Sequence, residues 1–226
     1  MNWISTLAGL ALAAGLLAPA QAAAQPRTFR YAVTHSRYGP IGAYVHTIDE
    51  AGGVTRAQSH LDVVVKILGI VVHRESADQT EVWRGGRLAS LDSTTLVNGQ
   101  PQVVHGVAAQ NRFLVTTATG TAAAPADVTP SDPWAFSRMG PGVVVSLKSG
   151  RIDQVVVSGG EPEAVLVQGR STPTRHFHVS TTVQPNKWEV WLDAQGVPVK
   201  FRSFERGDSV DFTLAAPVLK SALAGG

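Results

Sequence analysis

Cysteine is absent from the 226 residues. An exported chain without cysteine relies on its hydrophobic core rather than on disulfides, which suits a bacterial periplasm better than a disulfide-dense extracellular module. A lipidated cysteine anchor is excluded as well. Excess charge of either sign is missing: 19 Lys and Arg stand against 17 Asp and Glu. No basic cluster is interleaved with aromatics, so nucleic acid is not an expected partner. After the first two dozen residues no apolar stretch reaches the roughly 20 residues of a membrane-spanning helix. VVVKILGIVV, residues 63–72, is broken by Lys66 and Gly69 and is rich in β-branched residues, so it reads as strand with a bulge or bend at Gly69. Catalytic signatures are lacking too. There is no GxSxG elbow to activate a serine, so Ser36 beside His35 is not a nucleophile signal. His73-Arg74-Glu75 with Asp78 lacks HExxH spacing and reads as a strand end or surface turn. No cofactor motif occurs and no cofactor is expected.

What is present begins with a leader. Residues 1–24 hold an apolar run from Leu7 to Leu17, then small residues, with cleavage patterns at Ala20-Gln21-Ala22 and Ala22-Ala23-Ala24. This is a secretory signal peptide pattern, although no Lys or Arg precedes the run. It implies a periplasmic or secreted bacterial protein. Residues 25–226 then read as a single all-β domain.

Period-two alternation dominates that domain. Phe29, Tyr31 and Val33 share one face of a strand. Leu61, Val63, Val65 and Ile67 share another, with Arg56, Gln58, His60, Asp62 and Lys66 opposite, the pattern of a half-buried antiparallel strand. Turns are expected at Ala51–Gly53, Gly85-Gly86, Asn98-Gly99 and Ser149-Gly150. Residues 121–133, TAAAPADVTPSDP, are expected to form a Pro/Ala/Thr-rich connection or lid between two β-rich halves. SDPWAF after it suggests one short helix capped by Ser131 or Asp132. About a dozen strands with little helix predict a strongly curved antiparallel sheet, a sandwich or a β-barrel, built as a meander.

The tripeptide EVW occurs twice, as Glu81-Val82-Trp83 and Glu189-Val190-Trp191, each followed by strand, turn and strand. The copies are corresponding hairpins; whether they mark a duplication is open. Trp188 and Trp191, three apart, must face opposite sides of one strand. Trp83, Trp134, Trp188 and Trp191 are therefore candidate ligand-binding residues for an apolar pocket, with core filling as the alternative. His176 and His178, at i and i+2, point to one side and are candidate metal ligands; His46, His60 or His73 would supply a third. Arg206-Gly207-Asp208 reads as a hairpin turn rather than an adhesion motif.

FRYAVTHSRYGPIGAYVHTI, VVVKILGIVVHRE, EVWRGGRLASLDSTTLVNG, SDPWAF and the closing WEVWLDAQGVPVKFRSFERGDSVDFTL, taken in order, resemble the secreted bacterial proteins of domain-of-unknown-function family 6134. The resemblance covers nearly all of the chain after the leader. It implies an exported all-β protein and brings no activity or catalytic residues with it. The expectation is an exported, non-enzymatic protein that binds a lipid or another apolar or amphipathic envelope molecule. One alternative is a structural or protein-interaction module, with Trp188 or Trp191 in an exposed patch. The other is a metal-dependent enzyme using His176 and His178.

Overall fold

The computed structural model describes residues 25–136, 142–182, 187–205 and 207–215. Residues 1–24, Arg206 and the residues from 216 onward lie outside them. Eight strands come first: β1 (Arg27–His35), β2 (Gly39–Ala51), β3 (Val54–Ile67), β4 (Ile70–Arg84), β5 (Arg87–Val97), β6 (Gln100–Ala109), β7 (Arg112–Thr117) and β8 (Gly120–Pro125). Then follow β9 (Thr129–Pro130), the single-turn helix α1 (Pro133–Phe136), β10 (Gly142–Val145), β11 (Ile152–Val167), β12 (Arg170–Thr181), β13 (Trp188–Leu192), β14 (Pro198–Glu205) and β15 (Asp208–Leu214).

All fifteen strands join one sheet, in the order β8 to β1, then β15 down to β9. Strands consecutive in sequence therefore pair, except β8 and β9 at the two ends, and only the β1–β15 pairing is long-range, with Tyr31 opposite Leu214 and Val33 opposite Phe212. Every pairing is antiparallel except β9 with β10. The sheet curls until its two ends meet. Val145 and Leu147, at the β9–β10 end, share a core with Leu91, Val104, Phe113, Val115 and Ala124 of β5 to β8. A larger core fills the rest of the curl, with Tyr31, Val33, Tyr44, Val63, Val65, Val179, Val190 and Phe201. These are the inward members of each alternating strand. Complete burial of a side chain such as Phe113 or Leu91 stabilises the fold by about 1.5–3 kcal/mol.

Helix α1 lies inside the curl. Asp132 caps it, accepting from the Trp134 amide at 2.6 Å, and Pro133 takes the first helical position, where a missing N–H costs nothing. Trp134 stands against Phe29, centroids 4.3 Å apart, and Phe136 against Trp188 at 5.4 Å.

Three expectations need correction. The expected connection 121–133 is partly strand: β8 pairs Thr121 to Pro125 with β7, because an Ala/Thr run without bulk still suits an end strand whose partner supplies the apolar cover. Gly69 is not a bulge. It forms a two-residue hairpin turn with Leu68, φ 83° and 51°, so VVVKILGIVV is two strands folded back; the irregularity falls at Val65/Lys66. Ile67 is exposed, unlike Val63 and Val65. The last residue of β3 paired with β2 is Val63, opposite Gly42, and the first residue of β4 paired with β5 is Glu75, opposite Val97. The ribbon between them therefore pairs only with itself and carries Ile67, Leu68, Ile70, Val71 and Val72 outward.

Candidate functional site

Two polar constellations stand out, one on each face of the sheet, and each contains one EVW. The inner one lies at the end of the curl where β1 begins. Tyr44, His46 and Ile48 alternate inward on β2. His46 is 2% exposed, and its ring stacks on Trp134, centroids 4.9 Å apart and planes 8° off parallel. The Tyr44 hydroxyl donates to Asp132 Oδ2 at 3.1 Å and lies 3.3 Å from His46 Nδ1. Its one proton is committed to the carboxylate, so it accepts from Nδ1–H, and Nε2 of His46 carries the lone pair. Burial pushes the His46 imidazole below its ordinary pKa, opposed by the nearby Asp132 charge. Burial, reinforced by Asp132, pushes the Tyr44 phenol well up, so it keeps its proton.

His46 lines a cavity of about 270 Å³ with Trp83, Trp134, Glu81, Ala57 and Ile48, bordered by Arg27 and the Gln195–Val197 turn. Nε2 of His46 is buried and has no hydrogen-bond partner among the described residues. Glu81 is 6% exposed and accepts from Trp83 Nε1 at 2.9 Å. The wall thus combines two indole rings, a neutral imidazole acceptor and a buried carboxylate. On the other side of α1, a second cavity of about 350 Å³ at the opposite end is walled by Ile41, Leu61, Val63, Val65 and Phe212.

The outer constellation follows the strand register. His178 lies opposite Glu189, Glu189 opposite Arg202, and Arg202 opposite Asp211, a row across β12 to β15. The next row sets His176 opposite Trp191 and Trp191 opposite Lys200. Arg202 grips Asp211 through two nitrogens, Nη2 to Oδ2 at 2.8 Å. Burial opposes ionisation of Asp211 most strongly, but the hydrogen bonds and charges of Arg202 and Lys200 together outweigh it and hold the carboxyl below its usual range. The β11–β12 hairpin folds over this face. Its bend is at Gly159 and Gly160, φ 93° and 98°, which side-chain-bearing residues rarely adopt. Val165 and Val167 then cover Trp191, which is 3% exposed.

The structure distributes the candidate tryptophans accordingly. Trp83 and Trp134 meet at the inner cavity. Trp188 faces inward on the far side of α1, half-buried against Phe136. Trp191 points outward but is buried, so neither Trp188 nor Trp191 belongs to an exposed patch; exposed apolar side chains run consecutively at the Ile67–Val72 ribbon tip, with others such as Val103, Val156 and Leu166 elsewhere on the sheet. His176 and His178 do share a side, ring centroids 4.4 Å apart. None of the expected third ligands joins them. His46 is in the inner cavity, His60 binds Asp78 at 2.8 Å and His73 sits 3.5 Å from Glu75. Glu189 takes the third place instead. Ser36 serves a turn, accepting from the Ser209 amide at 3.1 Å, and Asp208 pairs with Arg37 at 3.1 Å. Among the described residues no helix is long and apolar enough to cross a membrane.

A single curled sheet of fifteen strands, closed around a buried helical turn, defines a β-barrel-like all-β protein. Its fold is similar to the crystal structure of a beta-barrel-like protein of domain of unknown function DUF1849 from Brucella abortus. The TM-score is 0.62 at 9% identity, over 84% of this chain and 95% of that one. Residues 31–215 match the domain of unknown function DUF6134, and the chain belongs to that family. No curated protein matches it.

Proposed function

We propose that the chain is an exported, non-enzymatic binder of a lipid or other amphipathic envelope molecule, held in the cavity between Trp83 and Trp134. The observation that carries this reading is Nε2 of His46, a buried acceptor without a partner among the described residues, facing a cavity walled by indoles. A buried polar atom left unsatisfied costs about 1–3 kcal/mol, and a ligand hydroxyl or ammonium group would relieve that cost. Glu81 favours the same donors, while Trp83, Trp134 and Ile48 offer apolar cover to the rest of the ligand. At about 270 Å³ the space takes a small molecule or one end of a longer one. The leader pattern supports export to the periplasm.

Native mass spectrometry of protein purified gently from the periplasm, beside a denatured control, tests this. An organic mass lost on denaturation is expected. Replacing the cavity-lining Ala57 by Phe should abolish that mass while the fold persists by circular dichroism. A bare wild-type mass, or ligand retained in Ala57→Phe, overturns the assignment to this cavity. The protruding apolar tip Ile67–Val72 favours a second reading, a protein-interaction module, for which the added mass would be that of a protein.

A further inference from the structure

We infer that His176, His178 and Glu189 form a binding site for one divalent transition-metal ion, zinc foremost, on the outer face of the sheet. One ligand atom from each residue lies within 4.8 Å of the other two. His178 Nδ1 is 3.6 Å from Glu189 Oε1, and His176 Nε2 is 3.9 Å from Glu189 Oε2. Both separations exceed a hydrogen bond. They are close to the spacing of two ligands on one ion: tetrahedral zinc with bonds of about 2.1 Å places its ligand atoms about 3.4 Å apart. Rotation of the Glu189 carboxylate and adjustment of the two rings would bring one ligand atom from each residue onto a single ion.

The nitrogens are also prepared for this. His176 Nε2 and His178 Nδ1 are buried and have no hydrogen-bond partner among the described residues. Glu163 accepts from His176 Nδ1 at 2.8 Å, so that nitrogen carries the proton and Nε2 is left as a lone pair. A carboxylate behind a histidine, setting its tautomer and ring orientation, is the usual support of a metal-bound imidazole. Trp191 fixes the same ring from its face, centroids 4.1 Å apart and planes 15° off parallel. The three ligands stand on the adjacent paired strands β12 and β13 rather than on loops, so the spacing is held by the ladder.

The charges nearby moderate affinity without forbidding binding. Arg202 Nη1 lies 3.4 Å from Glu189 Oε2 and Lys200 Nζ 3.3 Å from Asp211. Against these two cations stand Glu163, Glu189 and Asp211, so an incoming dication meets a slightly negative patch when the imidazoles are neutral. Arg202 is anchored by Asp211 and holds one oxygen of Glu189, which leaves Oε1 for the ion. Two imidazoles and one carboxylate suit zinc and its first-row neighbours, and with three protein ligands the fourth position falls to water.

The test uses chain purified without a histidine tag and stripped with EDTA. It is titrated with ZnCl₂ by calorimetry and with Co²⁺ by visible absorption. One zinc per chain and a tetrahedral Co²⁺ spectrum are expected. His178→Gln and Glu189→Gln should each weaken binding by at least tenfold, and Glu163→Gln by about tenfold through the loss of ring orientation. His105→Gln, at a surface histidine paired with Asp92, should leave binding unchanged. Circular dichroism and Tm show that each variant is folded. No saturable binding by the wild type overturns the site, as does binding that folded His178→Gln and Glu189→Gln retain. The cluster would then be a hydrogen-bonded ion-pair row without a metal.

Discussion

His46 is held where a charged imidazole is disfavoured. Its ring is sealed under Trp134, and its partner Tyr44 is committed to Asp132. Burial lowers its pKa in the folded chain, so between that value and the ordinary value near 6.5 the unfolded chain binds the additional proton. Stability therefore falls as pH drops below about 6.5 and levels off once the folded form also protonates. Thermal melts from pH 7.5 to pH 5 should show this decline, and His46→Phe, which keeps a ring against Trp134, should flatten it. Asp211 acts in a separate window. Its depressed carboxyl contributes stability above the ordinary value of 3.8, and that contribution is lost only as pH falls further.

Among the hairpins, β3–β4 has the least suitable turn residue. Leu68 adopts φ 51° and is 98% exposed, beside Gly69 at φ 83°. Asn98 and Gly99 hold the same angles in the β5–β6 turn, where asparagine tolerates the left-handed conformation that leucine resists. Leu68→Asn should raise the unfolding free energy by about 1 kcal/mol, since it relieves the strain and removes no contact. A higher denaturant midpoint with an unchanged slope is the expected result. This turn also shows where legibility ended. Asn98-Gly99 was readable because its residue types state their backbone angles, whereas Leu68 contradicts its own position and hid a turn. β8 was hidden because alanine and threonine carry little strand signal. The shared side of His176 and His178 followed from the two-residue repeat alone. Glu189 as their partner depends on the β12–β13 register, which local pattern does not contain. His46 and Glu81 went unseen as an inner pair for the same reason, although each occupies an apolar-alternating face.

For the molecule as a whole, the strand order decides how the chain is assembled. Each arm, β1 to β8 and β9 to β15, is built from neighbour pairings with short loop closures, while β1 with β15 joins segments about the full chain apart. Closing a loop of that length costs more entropy than any hairpin, so the seam is the natural last event of folding and the first to open. It also brings the two ends of the sheet-forming chain together, with the Ala215 amide donating to the Arg30 carbonyl at 2.8 Å. The two end strands, β8 and β9, are in turn consecutive in sequence. A circular permutant that links Ala215 to Arg27 through a short Gly/Ser bridge and begins at Asp127 would run β9 to β15 and then β1 to β8. It should fold to the same curled sheet, and faster, as folding kinetics followed by tryptophan fluorescence would show. In that reordered chain the seam becomes an ordinary hairpin, and the sheet becomes an unbroken antiparallel meander from β10 through to β8.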